Sequence, residues 1–101
     1  MVKRTIIWSD QAQSDRIEIL HYWIHRNKSK EYSVKLNALI TRAIELLAKM
    51  PEIGKSHHLT ETRIKIIKAY YIIYKFDDSE LKIISIWDSR RDPQKMKSKL
   101  K

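Results

Sequence analysis

The sequence predicts an α+β fold in which one strand precedes an antiparallel helical hairpin and a three-stranded antiparallel sheet follows it, in the order β-α-α-β-β-β. Apolar residues recur at three- and four-residue steps between positions 10 and 50, which is typical of helices packed on a core. Between positions 63 and 88 the chain is instead dense in isoleucine, tyrosine and tryptophan, as strands are. A length of 101 residues fits a single domain spanning residues 1–101.

The first half of the chain predicts one strand and two packed helices. Residues 3–8 combine β-branched residues with an aromatic, and Ser9 is suited to cap the helix that follows. Residues 10–27 and 30–50 each place their apolar side chains on one face. Because only a short break separates these two helices, we expect them to pack antiparallel.

The second half predicts the sheet. Pro51 ends the second helix because the residue before a proline avoids the α conformation, and Gly54 then permits a turn. Strands are predicted at residues 63–68, 69–76 and 80–88, with a turn at the polar residues between the last two. Both faces of these strands carry apolar side chains, so the face without helices should be a tyrosine-rich surface for a partner, or for mutual burial in a homodimer.

Positive charge is concentrated at the end of the chain. The net charge is +9 and the isoelectric point is near 9.9. Six basic residues and one acidic residue lie between positions 89 and 101, and we treat residues 94–101 as a basic C-terminal tail. Such a run indicates either a solvated chain end or an attraction for polyanions and acidic proteins.

The composition predicts neither a metal nor a cofactor. Without cysteine, the chain has no disulfide framework and no cysteine-based zinc site. His21 and His25 are one helical turn apart but lack a third ligand at suitable spacing. No run of about 18 apolar residues and no signal-like segment occurs, so we expect a cytoplasmic protein that does not associate with membranes.

Four motifs occur in a fixed order along the chain. They are Ser9-x-x-Ala12-x-x-Asp15 in the first helix, Pro51-Glu52-Ile53-Gly54 after the second, Arg63 followed by Tyr71-Ile72-Ile73-Tyr74 in the sheet, and Ile86-Trp87-Asp88-Ser89-Arg90-Arg91-Asp92-Pro93 at the end. In this order and at these separations, they resemble the RelE/ParE family of toxins from type II toxin–antitoxin systems over nearly the whole chain. The resemblance implies a growth-inhibiting toxin that a cognate antitoxin holds inactive through an acidic or amphipathic segment, as a dimer or a heterotetramer.

The family contains two unlike activities. ParE-type members act on DNA gyrase, whereas RelE-type and YoeB-type members cut mRNA in the ribosome. The ending from Arg90 to Pro93 resembles the ParE type, and no histidine lies where a YoeB-like chain has a His-Tyr type pair. We therefore expect DNA gyrase as the target, with ribosome-dependent mRNA cleavage as the alternative. A further alternative is a nontoxic nucleic-acid-binding module whose positive charge contacts phosphates.

Each hypothesis selects its own residues. The expected target contact consists of Trp87, Arg90, Arg91 and Lys95. Metal-independent RNA cleavage requires a base, an acid and a cation, and the candidates for those roles are Arg63, Lys65, Asp88 and Arg90. The expected antitoxin-binding surface consists of Tyr71, Ile73 and Lys75, which lie on the strand predicted to expose one face.

Overall fold

A computed structural model describes residues 3–56 and 61–90 of the chain. Its elements are β1 (Thr5–Trp8), α1 (Asp10–Asn27), α2 (Glu31–Lys49), a 3-10 helix (Pro51–Ile53), β2 (Lys55–Ser56), β3 (Arg63–Ile67), β4 (Tyr70–Phe76) and β5 (Glu80–Asp88). The predicted α+β fold class is confirmed, and the two-residue strand β2 is an addition to it. No helix within the described ranges has the length and apolar character that a membrane span requires.

Local hydrogen bonds determine where the helical hairpin begins and turns. The hydroxyl of Ser9 accepts the backbone N–H of Ala12 at 3.0 Å, so Ser9 caps α1 as predicted. Lys28 has a left-handed conformation with φ of 52° and ends the helix. The buried hydroxyl of Ser33 in α2 donates to the carbonyl of Leu20 in α1 at 2.6 Å, which ties the two antiparallel helices together.

The five strands form one mixed sheet in the order β1-β5-β4-β3-β2. Strands β3 to β5 pair antiparallel as expected, and β2 adds antiparallel to β3, whereas β1 lies parallel to β5 at the sheet edge, with Thr5 opposite Glu80. This parallel pair joins the two ends of the chain, and the local sequence gives no signal for it. The predicted turn before β5 is present, because the Asp77 carboxylate accepts the backbone N–H groups of Ser79 and Glu80.

The helices pack on one face of the sheet and enclose the main core. Its buried residues are Ala12, Ile19, Leu36, Ile40, Ala43, Ile44, Leu47, Ala48, Tyr70, Ile72, Tyr74, Leu81, Ile83 and Ile86. The opposite face, called the outer face below, carries no helix of the described residues. It consists of Ile7, Ile64, Ile66, Tyr71, Ile73, Lys75, Lys82, Ile84 and Trp87. On this face Ile73 and Trp87 are buried in a small second cluster.

Strand β5 contains one more residue than its partner requires. Ile83 lies opposite Tyr74, but Ser85 lies opposite Ile73, so Ile84 is an extra residue between two adjacent pairs. Such a β-bulge bends a strand and changes the direction of the side chains that follow it. The bulge is located in the middle of β5, between the pairings of this strand with β1 and β4, and next to helix α1.

A close contact connects the loop after α2 to the sheet. The Tyr74 hydroxyl donates to the Pro51 carbonyl at 2.6 Å and accepts the Gly54 N–H at 3.0 Å. A methyl group on Gly54 would lie 2.1 Å from that hydroxyl. Gly54 itself has an ordinary extended backbone, with φ of −74° and ψ of 155°. The expectation that Gly54 permits a turn is therefore corrected, because glycine is required here for the approach of the tyrosine.

Replacing Gly54 with alanine is expected to destabilise the fold by about 1–3 kcal/mol, since extra atoms in a filled site cost that much. In a domain of this size, each kcal/mol lowers Tm by roughly 4–8 °C. The variant Tyr74→Phe should also be destabilised, because it leaves two buried backbone groups without their partner. Thermal melting of both single variants and of the double variant checks the contact. The double variant should lose less free energy of unfolding than the two single variants lose together, and strict additivity would contradict a shared contact.

Candidate functional site

A polar cleft of about 270 Å³ opens between α1 and the adjacent ends of β4 and β5. The lining residues are Asp15, Glu18, Ile19, Tyr22, Tyr70, Ile86, Asp88 and Arg90. Two of them, Asp88 and Arg90, were candidates from the sequence. The cleft lies where β5 ends at Asp88, opposite Tyr70 at the start of β4, and where α1 packs against β5.

The guanidinium of Arg90 is held in a defined orientation by Asp88. Its Nε and Nη2 donate to the two carboxylate oxygens at 2.9 and 2.7 Å, and its backbone N–H donates to the same carboxylate at 2.9 Å. These hydrogen bonds and the charge of Asp88 raise the pKa of Arg90, so the side chain remains positively charged at physiological pH. Over half of the Arg90 side chain is exposed, at 56%, against 18% for Asp88.

Two aromatic side chains line the cleft, Tyr22 from α1 and Tyr70 from β4. The buried Tyr70 hydroxyl accepts a hydrogen bond from Nε1 of Trp23 at 2.7 Å, and burial raises the pKa of Tyr70, so its hydroxyl stays protonated at neutral pH. The Trp23 ring meets Tyr22 and Tyr32 edge to face at centroid distances of 5.1 and 4.7 Å. Tyr22 is 47% exposed and is the aromatic residue of the cleft that a partner can reach.

Sequence reasoning did not identify Tyr22 as a site residue. Its spacing from Glu18 and Ile19 carries a usable signal, because residues three and four apart share one helical face. That signal becomes specific only once Arg90 is known to lie opposite the same face.

The expected target-contact residues are separated by the sheet. Arg90 lines the cleft on the helix side, whereas Trp87 packs against Ile73 on the outer face and is only 4% exposed. Trp87 therefore contributes to packing in this structure and presents little of its ring to a partner. Arg91 and Lys95, together with the tail 94–101, lie outside the described residues.

The residues proposed for RNA cleavage do not come together either. Nη1 of Arg63 donates to the carbonyls of Glu52 and Gly54 at 3.1 and 3.0 Å, so this guanidinium holds the loop after α2. Arg63 lies opposite Tyr74, four residues along β4 from Tyr70, which corresponds to about 13 Å. Asp88 lies opposite Tyr70, so Arg63 is far from the cleft.

Lys65 lies between these two ends, opposite Ile72. Of the four candidates, only Asp88 and Arg90 line the cleft. In the described ranges no three histidine, aspartate or glutamate side chains are grouped so that they could hold a metal ion. The expected absence of a metal and of a cofactor stays a prediction.

The expected antitoxin-binding residues share the outer face but differ in exposure. Lys75 is exposed and Tyr71 is half-buried, whereas Ile73 is completely buried beneath its neighbours. Ile73 can therefore support a surface but does not form one. Ile66, which sequence reasoning did not select, is 57% exposed on the same face, and its alternation with Lys65 and Ile67 in β3 is the signal for it.

Comparison with known proteins relates the chain to toxins. Residues 6–93 match a family model described as the ParE toxin of the type II toxin–antitoxin system parDE. No curated protein sequence is significantly similar to the chain. A solved structure of the chromosomal ParDE system from P. aeruginosa is similar with a TM-score of 0.72 and 15% identity, covering 83% of this chain and 94% of that one.

A second solved structure, the toxin–antitoxin complex RelBE2 from Mycobacterium tuberculosis, is similar with a TM-score of 0.59 and 19% identity. It covers 84% of this chain and 96% of that one. At these identities the two structures support the fold. The family model spans residues 6–93, which is most of the chain, and confirms the resemblance identified from the motifs. The chain thus belongs to the ParE toxin family of type II toxin–antitoxin systems.

Proposed function

We propose that this toxin inhibits growth by acting on DNA gyrase and that it contacts its target through the cleft around Arg90. The observation that carries the proposal is the bidentate hydrogen bond that the Arg90 guanidinium donates to Asp88 in the cleft. The ParE-type family match supports the choice of target. Tyr22 would supply an exposed aromatic surface beside the guanidinium.

A guanidinium held in this way is suited to recognise an anion. It has five N–H donors, and the two carboxylate oxygens of Asp88 face only its Nε and Nη2 side. The remaining edge matches the geometry of a carboxylate or a phosphate. Because Asp88 already fixes the side chain, binding a target costs less conformational entropy than ordering a flexible arginine would.

Ribosome-dependent mRNA cleavage is the alternative, and the geometry supports it less. A metal-independent nuclease needs its base, acid and cation around one phosphate group. The hydrogen bonds of Arg63 go to the loop carbonyls, about 13 Å along the sheet from the cleft. The cleft itself offers Asp88 and Arg90 bonded to each other.

We further infer that a cognate antitoxin covers the outer face with an acidic or amphipathic segment. Ile66 is 57% exposed there, next to the half-buried Tyr71 that it pairs with. Lys75 and Lys82 lie directly opposite each other on β4 and β5, and like charges in this position destabilise a sheet. The Lys82 ammonium also lies 3.8 Å from a Glu80 carboxylate oxygen, and this half-exposed ion pair offsets only part of the repulsion. An acidic side chain of the partner would relieve that repulsion, while its apolar side chains would cover Ile66.

Arg90→Ala is expected to abolish growth inhibition. Losing a charge-assisted hydrogen bond costs about 1.5–3 kcal/mol, which lowers the affinity for the target roughly 10- to 100-fold. Arg90→Lys should retain little of the growth inhibition, since lysine cannot make a bidentate hydrogen bond. Toxicity is measured as colony survival after induction, and Tm should change by no more than about 4 °C because the position is exposed.

The matched control for this experiment is Arg42→Ala, which removes one exposed positive charge from α2. It should leave toxicity unchanged if the effect of Arg90 is local and not a result of total charge. Full toxicity of Arg90→Ala would contradict the proposed contact.

The target is tested by adding the purified toxin to two reactions. With DNA gyrase, ATP and plasmid, we expect cleaved plasmid to accumulate or supercoiling to stop, and Arg90→Ala should have neither effect. In a translating extract, we expect the mRNA to remain intact. Cutting of translated mRNA by the wild type, lost in Asp88→Ala, together with normal supercoiling, would instead establish the nuclease alternative.

The antitoxin surface is tested by neutralisation. Ile66→Glu and the pair Lys75→Glu with Lys82→Glu should remain toxic but escape rescue when the cognate antitoxin is co-expressed. A charge buried against an apolar partner surface is costly, and two reversed lysines would repel an acidic segment. Val34→Glu, at a residue 65% exposed on α2, is the matched control and should still be rescued. Rescue of both outer-face variants together with loss of rescue in the control would place the antitoxin on the helices.

A further inference from the structure

Strand β5 changes which of its residues face the helices. Before the bulge, Leu81 and Ile83 belong to the main core. After it, Ile86 belongs to that core, and Asp88 lines the cleft beside α1. Side chains of a regular strand alternate between faces, so these residues cannot share one face without an extra residue between Ile83 and Ile86.

A regular β5 would have a different surface. If the alternation of Leu81 and Ile83 continued, Trp87 would point to the helices, and Ile86 and Asp88 would point to the outer face. The Asp88–Arg90 pair would then lie on the side of the sheet opposite α1. The cleft exists with its present lining because the bulge reverses the alternation.

The side chain at the bulge is the carboxylate of Asp15 in α1, which is only 6% exposed. Its Oδ2 accepts the hydroxyl of Ser85 at 2.7 Å and the backbone N–H of Ile86 at 3.0 Å. Its Oδ1 accepts Nε2 of Gln11 at 2.7 Å. A buried carboxylate with three hydrogen bonds stabilises the one conformation of its partners that satisfies it.

Ser9 makes the neighbouring connection between α1 and the bulge. Its hydroxyl donates to the carbonyl of Ile84, the extra residue, at 2.7 Å, and its backbone N–H donates to the carbonyl of Ile83 at 3.0 Å. The backbone on both sides of the bulge is therefore hydrogen-bonded to the start of α1. Ser9 donates to the two carbonyls, and Asp15 accepts the N–H group. Ser9 also caps the helix, so Asp15 is the residue that can be tested without removing the cap.

We propose that Asp15 is a positioning residue for toxicity: its carboxylate stabilises the bulge that turns Asp88, and with it Arg90, toward the cleft. Asp15 acts through the hydroxyl of Ser85 and the backbone N–H of Ile86, and this role needs no contact with the target. The inference rests on the proposed role of Arg90 in the target contact. Its structural part, the control of which face Asp88 occupies, is measurable independently of any target.

Thiol labelling measures the bulge directly, because the chain has no cysteine of its own. Ile86→Cys introduces a thiol that is buried in the main core, at a position 3% exposed, when the bulge is present. In a regular β5 it would lie on the outer face opposite Tyr71, where no helix of the described residues covers it. The cysteine is also much smaller than the Trp87 ring that fills this place when the bulge is present. Ile72→Cys, directly opposite on β4 and fully buried, reports only general opening of the core. We expect Asp15→Ala to raise the labelling rate at position 86 about tenfold relative to the rate at position 72. A factor of about ten corresponds to the loss of one hydrogen bond to a charged group.

An unchanged ratio of labelling would overturn the proposal even if the variant is destabilised, because instability raises both rates together. Asp10→Asn, which alters an exposed carboxylate of the same helix, should change neither rate. Asp15→Asn keeps the shape but weakens the charge-assisted bonds, and its ratio should lie between those of the wild type and Asp15→Ala. These measurements remain informative if gyrase proves not to be the target.

Deleting Ser85 tests whether Asp15 acts on toxicity through the bulge. The deletion places Ile84 opposite Ile73 and leaves Ile83, Ile86 and Asp88 on the helix side without a bulge. In the natural strand, Asp15→Ala should reduce toxicity about tenfold, whereas in the shortened strand it should have almost no effect. Two results would overturn the proposal. One is an equal loss of toxicity on Asp15→Ala in the natural and the shortened strand. The other is full toxicity of Asp15→Ala in an assay in which Arg90→Ala has lost its toxicity. If the shortened chain does not fold, the labelling ratio decides.

Discussion

The bonding of helix α1 to the middle of strand β5 is the constraint on which the arrangement of this toxin depends. Ser9, which caps α1, and Asp15 are six residues apart, and both bind backbone groups of the bulge. The contact is between residues about 70 positions apart in the chain, so forming it closes the two ends of the fold against each other. The helical layer and the sheet are aligned at this point, and the cleft opens directly beside it.

The sheet then separates the surface that we propose for the target from the surface that we propose for the antitoxin. On the helix side, Arg90 lines a polar cleft. On the outer face, Tyr71 packs against a small cluster built on Trp87 and Ile73, and Ile66 lies exposed next to Tyr71. Adjacent residues of β5 thus serve different surfaces, because successive side chains of a strand point in opposite directions. A partner on the outer face and a target at the cleft would approach the same strand from opposite sides.

The sequence was sufficient for the fold class and for most element boundaries, since periodicity, Pro51 and the turn before β5 are local signals. The family resemblance added what periodicity does not contain, namely that the pieces belong to a toxin. The sequence was not sufficient for the parallel pairing of β1 or for the grouping of site residues. Trp87 and Arg90 were grouped because they are close in sequence, but pairing with β4 puts them on different sides of the sheet.

The role of glycine was also predicted for the wrong reason, because a turn and a close approach select the same residue type. The contact between Gly54, Tyr74 and Arg63 gives a physical reason for these residue types in the motifs of this part of the chain. These three residues bind one another and lie away from the cleft. Selection for a foldable chain would retain them even in a descendant that had lost its toxicity through a change at Arg90. Such a descendant would keep the family motifs and compete for the antitoxin. The motifs therefore identify genes for the folded domain, whether or not its product is toxic.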